Sequence, residues 1–393
     1  MEATKRDTTD DVRGVTDSAK VRRALQAISD ETRQRHPWLA HQDAIGLALF
    51  AASASTIVVN AWAFAMGWTP VWLTVVMAAF AMSILHELEH DLIHRLYLKS
   101  RPRLYHALML GVWLFRPSTI SPWVRRDWHL HHHRVSGTRT DVEERAITNG
   151  EPWGVRRLLM TADGVLAIVL RPSAMRDMLV GYAEAQKAPD KRAYRRILWR
   201  NRLSYAPLGN LHFALWHTFL FVHAQHLVCN LLGAADPTPA WLQAAVPTLD
   251  FLVVVWLGPN VLRTFCLHFV SSNMHYYGDI EPRNVVQQTQ VWTSPWSWPV
   301  QLFCFNFGGT HAIHHFVVQE PFYLRQWIAP RAYPVMRAYG VRFNDFGSFL
   351  RANRWGAWAP GSHRGHDAAR DERSAARGLG KIVPLAKVDT RLS

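Results

Sequence analysis

Three stretches of this chain carry histidines at spacings that suit metal ligation. His129-Leu130-His131-His132-His133 places His129, His132 and His133 at i, i+3 and i+4, and His311-Ala312-Ile313-His314-His315 repeats the pattern. His86-Glu87-Leu88-Glu89-His90 adds an i, i+4 pair. On a helix each set shares one face. Neutral imidazole is a ligand for iron, copper, zinc and nickel. Eight ligands of one type are too many for one tetrahedral zinc and match two metals. His94 continues the i, i+4 series from His90 and is a further metal candidate, whereas His131 points off the face its neighbours make.

Apolar segments must position these faces. Residues 44–66 and 71–85 are apolar, joined by the turn Gly67-Trp68-Thr69-Pro70, and the second runs into the first histidine stretch. They read as two membrane spans. Residues 105–115 and 158–170 are apolar but short, the latter interrupted by Asp163-Gly164, and read as interfacial or re-entrant helices. Residues 211–232 form a third candidate span containing His212, His217, His223 and His226. Residues 241–265 form a fourth, with Pro247, Asp250 and Pro259 as irregularities. The fold predicted is all-α and integral to a membrane: four transmembrane helices in two hairpins, with a helical cap holding the histidines. Residues 1–40 make a polar, helical lead-in, 41–350 the membrane domain, and 351–393 a basic tail expected to be disordered.

Charge orients this arrangement. The net charge is +14, yet the turns at 67–70 and 233–239 contain no Lys or Arg. The positive-inside rule then puts the other segments, and all three histidine stretches, on the cytoplasmic side of the inner membrane. Basic residues that follow membrane topology point to anionic lipid headgroups rather than nucleic acid. The three cysteines, Cys229, Cys266 and Cys304, have neither the count nor the spacing of a disulfide framework or a zinc ribbon.

Two apolar hairpins with H-x-x-x-H after the first, H-x-x-H-H in the basic stretch and H-x-x-H-H after the second resemble the membrane fatty acid desaturase and hydroxylase superfamily. The resemblance covers about residues 40–330. It implies two iron ions, O2 as co-substrate and electrons from an external, ferredoxin-like donor. It also implies one more histidine ligand ahead of the last box. Asn273-Met274-His275-Tyr276-Tyr277-Gly278 resembles that element and nominates His275, with His268 two helical turns earlier as the substitute. The stretch from His129 to Glu144, with Ser136-Gly137 and Asp141-Val142-Glu143-Glu144, is similar to bacterial fatty acid decarboxylases that form 1-alkenes (1-undecene-type). The expected reaction is oxidative decarboxylation of a medium-chain free fatty acid, with acyl desaturation or hydroxylation as the alternative.

Such a site needs acids that orient the imidazole rings. Asp91, Asp141, Glu143, Glu144, Asp279 and Glu320 are candidates by adjacency. A free-acid substrate needs an arginine for its carboxylate, and Arg125, Arg126 and Arg134 flank the second box. Two other classes compete. His86-Glu87-x-x-His90 is also the motif of zinc proteases, which use two histidines and a glutamate base. A metal transporter would keep its ionisable residues near the bilayer midplane, whereas these clusters fall at span ends.

Overall fold

A computed structural model describes residues 8–281 and 283–356, with side chains from residue 16 onward. Those residues are helical, with no strand beyond two isolated bridges. α1 (Thr8–Arg35) is the lead-in expected from sequence. α2 (Gln42–Ala65) and α3 (Val71–Ile93) follow and pack along each other. Asn60, polar in the apolar interior of α2, is buried, and its amide donates to the Thr74 carbonyl of α3 at 2.8 Å. Neither helix end has a side-chain cap, and Pro70 starts α3 in the extended conformation a turn requires.

Short helices build the cap. α4 (Pro102–Phe115) leaves Leu104, Leu110 and Leu114 exposed while burying Tyr105, Leu108, Met109 and Val112, the pattern of a helix lying on an apolar surface. α5 (Pro122–Val135) carries the second histidine stretch. α6 (Val142–Ile147) is capped by Asp141. Asp163 divides α7 (Val155–Ala162) from α8 (Gly164–Val169), where its carboxylate accepts the Val165 and Leu166 amides. α9 (Pro172–Ala185) and α10 (Lys191–Arg202) complete the basic stretch.

α11 (Leu208–Leu232) is the continuous helix expected for a third span. Among the described residues three segments, not the four expected, are long and apolar enough to cross a membrane, and α11 is not one of them: they are α2, α3 and the stretch Ala240–Met274. That last stretch consists of α12 (Ala240–Leu252), a π-helical turn at Val253–Leu257 and α13 (Gly258–Met274). It runs nine residues past the expected end at 265, which carries the helix directly to His275. Histidines on α11 are matched by acids: His217 reaches Asp163 at 2.9 Å and His223 reaches Asp250 at 2.7 Å.

α14 (Trp298–Leu302), α15 (Phe307–Phe316) and α16 (Phe322–Ala338) close the fold. α1 lies against α15 and α16, where Val21 and Leu25 join Ile313, Phe316, Leu324 and Ile328 in one core. Residues 351–356 were expected in the disordered tail but are packed. Asn353 is fully buried and donates to the carbonyls of Ser272 at 2.7 Å and His275 at 3.0 Å. The rest of the tail lies outside the described residues.

Candidate metal centre

α3 ends in a run of buried ionisable residues: His86, Glu87, Glu89, His90 and Asp91. Buried charges persist only when paired. Arg325 of α16 reaches Glu87 at 3.2 Å and Asp91 at 3.0 Å. Glu89 is held by Arg116 and, at 2.9 Å, by Arg125. These pairs lock the end of α3 against α5 and α16, and so fix where His90 points.

Three helices and one helix terminus then converge. His90, His94, His129 and His314 form one group and His132, His275, His311 and His315 a second; within each, the potential ligand atoms lie within 4.8 Å of one another. In the first, His129 Nε2 is 2.9 Å from His94 Nε2. In the second, His311 Nε2 is 3.1 Å from both His275 Nε2 and His315 Nε2. His133 Nε2 adjoins the first group, 3.1 Å from His129 Nε2 and 2.9 Å from His314 Nε2.

The outer ring nitrogens are held from behind. His129 Nδ1 is 2.7 Å from Glu143 and His132 Nδ1 is 2.8 Å from Asp141. His275 Nδ1 is 3.1 Å from the Ser271 carbonyl and 3.2 Å from Glu144. His315 Nδ1 is 3.0 Å from Gln288 Oε1. Each acceptor keeps the proton on Nδ1 and leaves the Nε2 lone pair facing inward.

A turn makes the Asp141 contact reachable. Gly137 has φ +75° and donates its N–H to Asp141 Oδ2 at 3.1 Å. A Cβ there would sit 2.6 Å from the Tyr276 carbonyl oxygen, so only glycine fits.

Electrostatics agree with this division of roles. Burial lowers the pKa of His133, His311, His314 and His315, and neighbouring imidazoles lower it further, so these rings are neutral. Burial alone would raise Glu143, but the charges of His129 and Arg125 outweigh it and bring the carboxyl to about 2. His132 is the exception: burial opposes a charge, yet Asp141 outweighs it and lifts the ring to about 9, so a metal at its Nε2 would displace a proton.

The donor sets fit two metal ions. At a metal–nitrogen distance of about 2.1 Å, tetrahedral ligands stand roughly 3.4 Å apart and octahedral neighbours roughly 3.0 Å. The imidazole separations above are of that size. Buried His90 has no hydrogen-bond partner at either nitrogen, and His314 Nδ1 has none. A cluster of neutral rings with Nε2 atoms facing one another cannot be satisfied by mutual hydrogen bonding alone, and a central cation satisfies it.

His86 lies apart from both groups. Its Nδ1 is 2.8 Å from Arg116 Nη1. A guanidinium only donates, so that nitrogen accepts and the proton sits on Nε2, which leaves no lone pair for a metal. His94, just past α3, and not His86, falls in the first group with His90. The i, i+4 spacing from His90 already carried that signal. His268 is away from the groups, on the wall of a small cavity with Ser118, His212 and Thr264. His131 is buried but outside both groups, with Nε2 3.1 Å from the Thr140 carbonyl oxygen and its ring against Tyr182.

Among the acids, Asp141, Glu143 and Glu144 meet imidazoles. Asp91 is 3.8 Å from His90 Nδ1 and is chiefly engaged by Arg325, Tyr97 and the Phe322 amide. Asp279 instead accepts the amides of Trp355 and Gly356, and Glu320 ties down α1 through Gln26 and Arg33. Adjacency in sequence misled here because both sit beyond helix ends. Gln288, Arg116 and Arg325 were not foreseen; none has a spacing that marks it. Of the three arginines flanking the second box, Arg125 is occupied by Glu89 and Glu143, Arg126 donates to the Ile93 carbonyl, and Arg134 is exposed.

The fatty acid desaturase family profile matches residues 66–347, a span holding all nine clustered histidines. The chain belongs to the fatty acid desaturase family. Membership makes it a membrane oxidoreductase of fatty acids, and the histidine groups fit the histidine boxes of a desaturase. A search of curated proteins returns no match.

Proposed function

We propose that this desaturase-family chain is an O2-dependent di-iron enzyme that converts medium-chain free fatty acids to terminal 1-alkenes. The observation that carries the reading is the pair of four-imidazole groups backed by Asp141, Glu143, Glu144 and Gln288. The similarity of the 129–144 stretch to alkene-forming decarboxylases selects the reaction. Overall, R–CH2–CH2–COOH, O2, two electrons and two protons give R–CH=CH2, CO2 and two waters. The substrate supplies two of the four electrons that O2 takes up, and an external ferredoxin-like donor supplies the other two.

His90, His94, His129 and His314 would hold one iron and His132, His275, His311 and His315 the other, with His133 beside the first. Bound iron supplies the redox capacity to use O2 against an unactivated C–H bond. The protein's own part is to keep the rings oriented and, His132 apart, neutral, to bury them from bulk water, and to admit an apolar chain from the membrane. By charge distribution the site faces the cytoplasm. Desaturation or hydroxylation on the same scaffold is the alternative, and both use the same ligands. The zinc-protease reading has no comparable support: Glu87, its required base, is buried against Arg325, and His86 stands outside both groups.

Cells expressing the chain and fed dodecanoic acid test the reading by gas chromatography–mass spectrometry of headspace and lipid extract. The expected product is a terminal alkene one carbon shorter than the acid, absent from an His132→Ala control. An unsaturated or hydroxylated acid of unchanged length would move the reaction to the alternative.

A further inference from the structure

Near His86 lies a cation with no carboxylate paired to it among the described residues. Arg263, on the membrane-crossing stretch that ends at His275, is fully buried. Its Nη2 donates to Thr264 Oγ1 at 2.7 Å and to Ser118 Oγ at 3.2 Å. Its Nε and Nη1 have no acceptor. The other large buried arginines leave only Nε without an acceptor: Arg116 meets Glu89, Arg325 meets Glu87 and Asp91, and Arg157 meets Asn273, Asn353 and backbone carbonyls. An arginine buried within a membrane segment is costly and ordinarily meets a counter-ion or a ligand.

The surroundings lack that counter-ion. Arg116, Arg125 and Glu89 are the charged groups that act most strongly on Arg263, and Arg125 also holds Glu143 at 3.3 Å. Glu89 is already taken by Arg116 and Arg125. Two further donors point to the same deficit. Arg116 Nε is buried without an acceptor, and so is His86 Nε2, which must carry a proton because Nδ1 accepts from Arg116. Unpaired donors on three neighbouring side chains make a seat for an anion, and a guanidinium edge matches a carboxylate with two parallel hydrogen bonds.

The position sets the anion's role. His86 precedes His90 by one helical turn, about 5.4 Å along the axis. Phe307 bridges the other way, 6.1 Å from His86 and stacked on His311 at 4.1 Å. A carboxylate seated here holds the first carbons of an acyl chain, rather than its middle, next to the imidazole groups.

We propose that Arg263, assisted by Arg116 and His86 Nε2, binds the carboxylate of a free fatty acid and so fixes which carbon meets the metal centre. The proposal deepens the decarboxylase reading and rests on it for the identity of the substrate.

Calorimetric titration of the purified, detergent-solubilised full chain with dodecanoic acid and with methyl dodecanoate tests it. The acid should bind about ten- to a hundredfold tighter than the ester, the range for a charge-assisted hydrogen-bonded pair. Arg263→Gln should abolish that preference by weakening the acid alone, with ester affinity and metal content unchanged. Equal binding of acid and ester by the unaltered chain overturns the proposal without any variant, and so does an R263Q chain that keeps the preference. Product analysis separates the two readings. A 1-alkene product with acid preference intact in R263Q removes the clamp and leaves the decarboxylase. An unsaturated acid as product, with preference lost in R263Q, upholds the clamp and removes decarboxylation.

Discussion

Asp141 accepts the Nδ1–H of His132 at 2.8 Å while its carboxylate also caps α6 and receives the Gly137 amide. One side chain thus orients a ring, starts a helix and fixes a turn. Asp141→Asn keeps the size and loses the charge. Metal affinity should fall about ten- to a hundredfold, the usual effect of removing a carboxylate behind a ligating imidazole. Inductively coupled plasma mass spectrometry after graded chelator treatment measures it, and unchanged retention would show that the contact has no part in ligation.

The two groups predict unequal effects along α3. His94→Ala should lose metal as severely as His90→Ala, whereas His86→Ala should keep its metal. Metal content per chain across the three variants decides this, and a metal-depleted H86A chain with an intact H94A chain would reverse the assignment.

Gly137→Ala combines a left-handed backbone with a Cβ 2.6 Å from the Tyr276 carbonyl oxygen. It should cost about 1–3 kcal/mol or more of stability. A fall in the midpoint of thermal unfolding in detergent is the expected result, with Gly67→Ala as the control, since Gly67 also has positive φ but no neighbour within 4 Å.

Asn353→Ala removes a buried donor from the Ser272 and His275 carbonyls and from the Arg157 guanidinium its acceptor. The loss should be about 1–3 kcal/mol, seen as a lower unfolding midpoint together with weaker metal retention, because His275 sits at that junction. A variant as stable as the parent would show the last described segment to be passive.

Much of this site was legible before any coordinates. Spacing alone brings His129, His132, His311, His314 and His315 to common helix faces, because i, i+3 and i+4 positions must coincide there. What spacing could not show is which member of an i, i+4, i+8 series bends inward. His86, His90 and His94 all qualify, and the choice is made by Arg116, which engages His86 from a loop far along the chain. Asp141 and Glu143 were readable because they lie just past their own box, while Gln288 depends on a loop with no pattern. The stretch Ala240–Met274 exceeded its expected end because a π-helical turn and Pro259 sit inside a helix that continues anyway, its polar residues Ser271 and Asn273 engaged by Glu144 and Arg157. Apolar length marked where it began, not where it stopped.

The make-up of the two imidazole groups also sets an order of events during synthesis. A ribosome that has reached residue 300 has made three members of the first group and two of the second; the remainder, His314, His311 and His315, come last. Neither group is complete until α15 has emerged and folded back against α5. A full complement of metal would therefore follow the emergence of α15, and filling the site would report that α15 has met α3 and α5. A chain stopped short of α15 carries half-built ligand sets, and chelation of stray copper or zinc by those sets is a hazard that quality control in the host membrane must remove.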